Sequence, residues 1–178
     1  MNPSRTLADR FRTQRTERIR VDGTEIHSIL ELDAGVGDLV EVVVESCHDA
    51  TPQGIALTAG VPFTVMETSP AQPHLDLASA SELRIDCSAL DAVVVRVEED
   101  EETEEAERHR IRLWNTWTLD DGEQAWTGNA GIVVEEVDAP EGADHRLRAW
   151  CSDGLGNASF DDLVVVVTVG PDPDHPAA

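Results

Sequence analysis

The chain has 178 residues, enough for one domain with a sizeable core, and 40% of them are hydrophobic, with valine the most frequent. Its 36 carboxylates and 13 arginines give a formal net charge of −23, and such a surface repels nucleic acid and anionic membranes. The composition therefore argues against both as partners and favours a solvated protein, a cationic partner or bound metal ions. A protein partner or self-association is expected, without a distinction between the two.

The first twenty residues form a basic arm on an otherwise acidic chain, since they hold six arginines and two carboxylates. Leu7 and Phe11 are four residues apart, which predicts a short amphipathic helix within residues 4–16. A mobile terminal segment is the default for such an arm, and packing on its own domain or a neighbouring subunit is the alternative. The arm lacks the apolar region of a signal peptide, which predicts a cytoplasmic protein, with leaderless export as the alternative.

Nine segments carry the alternating or β-branched patterns of strands, and turn-forming residues separate them. This spacing predicts an all-β fold, an antiparallel β-sandwich with a jelly-roll-like arrangement. The predicted strands are Glu25–Leu32, Asp38–Ser46, Val61–Met66, Glu82–Asp86, Ala92–Glu98, His109–Leu119, Gly131–Val137, Arg146–Trp150 and Leu163–Val169.

Three parts of the chain follow from this pattern. Residues 1–20 are the basic arm, residues 21–170 form a single sandwich domain, and residues 171–178 form an extended tail. The alternate prolines of the tail cannot continue a strand, because proline has no N–H to donate to a ladder.

Two kinds of strand pattern predict burial. Val93–Val95 and Val164–Val167 are continuous apolar runs, typical of central strands covered on both faces. Residues 110–117 alternate instead, so that Trp114 shares an outer face with Arg110 and Arg112, which predicts arginine–aromatic stacking. The predicted inner face of that strand holds Ile111, Leu113, Asn115 and Trp117.

Residues 98–107 hold eight carboxylates in ten positions between two predicted strands. So dense a charge cannot be buried, and a self-repelling exposed loop is expected. The alternative is an acidic finger that binds a basic partner.

The loop from Asp153 to Asp162 concentrates oxygen donors ahead of the last predicted strand. Calcium takes six to eight oxygens from carboxylates, amides, carbonyls and water. The spacing is not that of an EF-hand, because Leu155 interrupts the alternate donors. The candidate calcium ligands are Asp153, Asn157, Ser159, Asp161 and Asp162.

The run from Asn157 to Val164 resembles the ending of acidic β-sandwich domains of bacterial surface and adhesin proteins. That family carries D-x-D-F-N-D-[LV]-V on a loop thought to hold calcium, and here the Phe, the last Asp and the following strand match. The resemblance implies a calcium-stabilised sandwich, although Asn157 and Ser159 replace two of the family's carboxylates. The alternative is a turn in which Asp161 or Asp162 accepts backbone N–H bonds and Phe160 fills the core.

A second cluster lies in residues 120–131, where a carboxylate-rich turn adjoins Trp126. An exposed tryptophan beside polar side chains can stack on and hydrogen-bond a sugar ring. The candidate ligand-binding residues for a carbohydrate or small molecule are Trp114, Asp121, Trp126 and Asn129.

The sequence offers no catalytic set. Cys47, His48 and Asp49 are consecutive, but neighbouring strand residues point to opposite faces. Cys47, Cys87 and Cys151 form no close pair, which predicts free thiols.

The leading hypothesis is accordingly a non-enzymatic binding or assembly module, with the 153–162 loop held by calcium or without metal. The alternatives are a small β-barrel enzyme or small-molecule carrier, and an acidic inhibitor or immunity-type protein that blocks a basic partner through residues 98–107.

Overall fold

A computed structural model describes residues 5–48, 50–70, 80–99 and 108–174. The predicted all-β antiparallel fold with a short N-terminal helix is confirmed. The described elements are α1 (Leu7–Gln14), β1 (Arg18–Val21), β2 (Thr24–His27), β3 (Leu30–Ala34), β4 (Asp38–Cys47), β5 (Gln53–Ser69), β6 (Ala80–Asp86), β7 (Ala92–Val97), β8 (His109–Leu119), β9 (Gly122–Gln124), β10 (Gly131–Glu136), β11 (His145–Ser152) and β12 (Leu163–Pro171).

The strands form one open antiparallel sheet with the order β1-β2-β10-β11-β12-β4-β7-β5-β8-β3, and β6 and β9 pair with β5 and β8. Strand β5 belongs to both halves of this sheet. Its residues 53–58 pair with β6 and β8, whereas residues 63–69 pair with β7. Between these stretches the register shifts and Gly60 has a φ of 72°, so the strand turns a corner there.

The corner brings the two halves of the sheet face to face. One cluster of buried residues contains Leu30 and Leu113 from one half and Val42, Ala149 and Val165 from the other. The sandwich is therefore a single sheet folded over its own core rather than two separate sheets.

Strand β12 is buried on both faces, as its apolar run predicts, because Val164–Val167 are all buried. On the outer face its cross-strand neighbours are Trp150 and Arg148, and the guanidinium of Arg148 lies 6.0 Å from the Trp150 ring centre. The same expectation is wrong for β7, where burial alternates and Val94 lines an open groove.

The basic arm packs on its own domain. Thr6 caps α1, since its hydroxyl accepts the Asp9 N–H at 3.2 Å while the Asp9 carboxylate accepts the Thr6 N–H at 3.3 Å. Leu7 is 5% exposed and packs with Ile19 and Ile26 in a second, smaller cluster. No helix among the described residues is long and apolar enough to cross a membrane.

The three cysteines are free thiols, as predicted. Cys87 and Cys151 are buried and Cys47 is half-buried.

Removing the apolar contact of the arm should uncouple it from the domain. Leu7→Ala is expected to lower the free energy of unfolding by about 2 kcal/mol or more, because it leaves a cavity among Ile19 and Ile26. Urea denaturation measures the change. Arg12→Ala is the matched control on the same helix, since its ion pair with Asp9 is exposed, and no shift is expected from it. Equal midpoints for wild type and Leu7→Ala would contradict the packing of the arm.

Candidate functional site

Two loops meet at one end of the sandwich, and glycines allow the contact. A Cβ on Gly128 would collide with the carbonyl oxygen of Gly154, and one on Gly154 would lie 2.5 Å from the Thr127 oxygen. Both glycines also have positive φ, 55° and 83°. The Asn129 N–H donates to the Gly154 oxygen at 3.2 Å, so residues 120–131 and 153–162 form one continuous surface.

Hydrogen bonds within the 153–162 loop occupy its first carboxylate. Asp153 is 7% exposed, and one carboxylate oxygen accepts the Leu155 N–H at 2.9 Å. The other oxygen accepts the side-chain amide of Gln53 at 3.1 Å. The Asp153 N–H in turn donates to a carboxylate oxygen of Asp162 at 3.0 Å. These contacts fix the loop in the way that the turn interpretation predicts.

The other candidate ligands lie farther out. The Ser159 hydroxyl donates to the Asp161 carboxylate, and Asn157 is exposed. Phe160 is half-buried and packs against the cluster that holds Leu7, not against the main core.

A calcium ion at this loop would compete with hydrogen bonds that are already formed. Within the described part of the chain, no three His, Cys, Asp or Glu residues are grouped so that they could hold a metal ion. Both oxygens of Asp153 each accept one N–H group. A calcium site at this loop stays a prediction of the sequence.

The loop nevertheless carries electrostatic strain at Asp162. Burial raises the pKa of this carboxyl, and the charges of Asp153 and Asp161 raise it further, while the hydrogen bond from the Asp153 N–H lowers it. Ionisation of Asp162 is therefore less favourable in the folded loop than in the unfolded chain.

Two tryptophans stack on the neighbouring surface. The ring centres of Trp114 and Trp126 are 5.1 Å apart with an interplanar angle of 36°. Trp114 is 6% exposed, whereas Trp126 is 48% exposed. Trp126 has a φ of 55°, a left-handed backbone conformation that a bulky residue rarely adopts. The site thus presents one aromatic ring to solvent and supports it with another.

The arginine beside Trp114 differs from the predicted one. Arg84 lies 5.5 Å from the ring centre, because Ala56 of β5 is the cross-strand neighbour of both Trp114 and Arg84. Alanine is small enough for the two side chains to meet above it. Arg110 and Arg112, the predicted partners, pair with carboxylates instead: Arg110 with Glu31, and Arg112 with Glu17 and Glu31.

Polar groups adjoin the aromatic pair. The Arg84 guanidinium lies 3.1 Å from the Glu123 carboxylate, and both line a cleft of about 180 Å³ together with Thr116 and Thr118. Among the described residues, the Trp114 indole nitrogen is buried without a hydrogen-bond partner. The surface therefore combines apolar rings with hydrogen-bonding groups.

The remaining two candidate binding residues have local contacts. The Asn129 side chain accepts the Leu7 N–H at 3.1 Å and donates to the Gly156 oxygen at 2.6 Å, which ties the arm to the 153–162 loop. Asp121 is exposed and accepts the Gln124 side-chain amide at 3.3 Å within its own turn. Asn129 is thus a structural link between three segments.

Arg84 and Gln53 were not predicted as site residues. The alternation of Leu83 and Ile85 does place Arg84 on an outer face, but only the pairing of β6 with β5 puts it beside Trp114. Gln53 is the first residue of β5. The small residues Gly54 and Ala56 that follow it interrupt the apolar pattern by which a strand is recognised in the sequence.

No protein-family model matches this chain, and comparisons with curated proteins and with solved structures likewise find no significant match. The resemblance at residues 157–164 stays a prediction. The geometry of the described residues is what supports a binding function.

A matched pair of substitutions separates the roles of the buried Asp153 and the half-buried Asp162. Asp153→Asn replaces one N–H acceptor by an NH₂ group and should cost about 1–3 kcal/mol. Asp162→Asn keeps an oxygen for the Asp153 N–H and removes a charge, so it should raise the melting temperature at pH 7. Because the folded-state pKa of Asp162 lies above its unfolded value, that gain should vanish as the pH falls below about 4.

Thermal melts between pH 3 and pH 8 measure both effects. A comparable loss of stability in the two variants at pH 7 would contradict this account of the loop.

Proposed function

We propose that this protein is a non-enzymatic binding module that takes a carbohydrate on the Trp126–Trp114 pair. The observation that carries the proposal is a half-exposed Trp126 that rests on a nearly buried Trp114, with a centre-to-centre distance of 5.1 Å. A sugar ring offers an apolar C–H face to such an indole, and its hydroxyl groups need donors and acceptors at the edge of the ring.

The polar surroundings supply those groups. Arg84 offers guanidinium donors, and Glu123 offers a carboxylate that is already oriented by Arg84. Thr118 adds an exposed hydroxyl group in the adjoining cleft, which the nearly buried Thr116 also lines. The strained backbone of Trp126 also supports a binding role, since such strain concentrates where a side chain must be presented to a ligand.

The thiol groups support a non-enzymatic role. Burial raises the pKa of Cys87 to about 12, and burial raises the pKa of Cys151 as well. Both side chains are therefore protonated at neutral pH, and a protonated thiol is a poor nucleophile.

The alternatives from the sequence have less support. The facing side chains of both sheet halves meet in one buried cluster, which disfavours a carrier with an internal cavity. The acidic segment proposed for an inhibitor lies mostly outside the described residues, because residues 100–107 are not among them.

Truncating the exposed ring should remove binding. An oligosaccharide array identifies glycans that the wild-type protein retains, and isothermal titration with those glycans measures affinity. Trp126→Ala should weaken binding by at least tenfold, the loss of about 1.4 kcal/mol or more that a central aromatic contact contributes. Met66→Ala is the matched control, because Met66 is a similarly exposed apolar side chain on β5. This variant should bind the glycans with wild-type affinity. Absence of any retained glycan, or equal affinity of Trp126→Ala, would refute the proposal.

The calcium-stapled form of the module is tested separately. Because hydrogen bonds already occupy the Asp153 carboxylate, we expect the melting temperature to be the same in millimolar calcium and in chelator. Binding to the folded protein alone would raise it by mass action. If calcium raises the melting temperature of the wild-type protein but not that of Asp162→Asn, the metal site is established.

A further inference from the structure

The two ends of the main strand order lie close together in the chain. Strands β1 and β3 stand at the two ends of the strand order, yet only residues 28 and 29 separate β2 from β3. Among the described strands, β3 pairs with β8 alone. Strand β10 meets β2 only where Ile132 faces His27, so the rest of that edge also has no strand partner.

A cleft of about 600 Å³, here called the seam cleft, lies between these edges. Residues 30–33 of β3 line it, and so do Val134 and Glu136 of β10, two residues of β11, and several from residues 16–27. Leu30 and Leu32 belong to the main core, and Val134 and Leu147 pack against that core while remaining partly exposed. The cleft therefore opens onto apolar side chains of the core.

Carboxylates dominate the charge of the seam cleft. Five of them line it, against the single arginine Arg18. Glu25 pairs with Arg18 and Arg20, and other carboxylates pair with arginines of β8. In the part of the chain that the structure describes, Glu136 and Asp33 have no ion pair, although the Arg108 guanidinium donates to the Asp33 backbone oxygen at 3.3 Å and is attracted by its carboxylate. The five lining carboxylates are Glu17, Glu25, Glu31, Asp33 and Glu136.

We infer that the seam cleft binds an extended basic segment of a protein partner, which adds as a strand to the free edge of β3. An unpaired strand edge offers a row of N–H and C=O groups, and β-augmentation uses such a row for affinity. Alternate apolar side chains of the partner strand would cover Leu32 and Val134. Arginine or lysine side chains on its other face would meet Asp33, and a basic side chain at the end of the apolar row would meet Glu136, which shares a face of β10 with Val134.

The acidic edge also selects the partner. Charged residues on an edge strand block pairing with another copy of the same strand, because like charges would face each other. Glu31 and Asp33 place two carboxylates on β3, so a second acidic copy of β3 is repelled while a basic strand is attracted. This surface is separate from the Trp126–Trp114 pair, and its failure would leave the carbohydrate proposal untouched.

Peptide titration of the full chain tests the inference. The probe is a short synthetic peptide of alternating arginine and valine, compared with an alternating glutamate and valine peptide and with an arginine–valine peptide N-methylated on alternate backbone nitrogens. The first should bind and the other two should bind at least tenfold more weakly. Equal binding by the N-methylated peptide would mean charge attraction alone and would overturn strand addition.

Variants locate the site. Asp33→Asn combined with Glu136→Gln should weaken binding of the basic peptide by at least tenfold. Glu41→Gln combined with Glu67→Gln is the matched control, because these carboxylates line the groove on the outer face of β4 and β7 and should leave affinity unchanged. Equal losses in the two double variants would overturn the inference.

Hydrogen exchange provides a readout independent of charge. Bound peptide should slow exchange of amides in residues 30–34, and unchanged exchange there would overturn strand addition. Sedimentation of the free protein tests whether a second copy of this chain, rather than a basic partner, occupies the seam cleft. A dimer that protects the same amides would show that a second copy, not a basic partner, fills the seam cleft.

Discussion

The corner in strand β5 is the constraint on which the rest of the structure depends. Around Gly60 the strand leaves β8 and begins to pair with β7, while Phe63 still pairs with Ala80 of β6, so one sheet faces itself across one core. The two ends of the main strand order are β1 and β3, and β2, which pairs with β1, leads into β3 after two residues. The seam cleft lies beside this connection.

At one end of the sandwich, the loops of residues 120–131 and 153–162 are held together by backbone contacts rather than by a hydrophobic core. Gly128 and Gly154 touch, and Asn129 joins both loops to the start of α1. Through these contacts the N-terminal arm, the Asp153 loop and the segment that carries Trp126 depend on one another. A substitution in the N-terminal arm should therefore change the position of the Trp126–Trp114 pair, although the arm and this pair belong to no common apolar cluster.

Local pattern predicted much of the fold. The alternation of residues 109–119 gave the limits of β8 and its inner face, and the valine run of β12 predicted burial on both sides. The predicted outer face of β8 is wrong at Trp114 and Thr116, which are buried as well. The first half of β5 was missed, because Gly54 and Ala56 hide the strand pattern. These small residues are required by packing, since a Cβ on Gly54 would lie 2.8 Å from the Thr116 hydroxyl and 2.9 Å from the Ile85 oxygen. Site residues fared less well: the stacking on Trp114 was predicted, but its arginine was not.

The sequence by itself determined the class of fold, the acidic surface, the free thiols and the set of side chains that could form a site. Periodicity carries this information because strand residues alternate between two faces whatever strand lies beside them. Only the tertiary structure decided which residues meet. Arg84 reaches Trp114 across Ala56, Asp153 accepts N–H groups from Gln53 and Leu155, and residues of β3 and β10 line one cleft. Such contacts join residues far apart in the chain, and the pairing and register that create them are properties of the whole folded sheet.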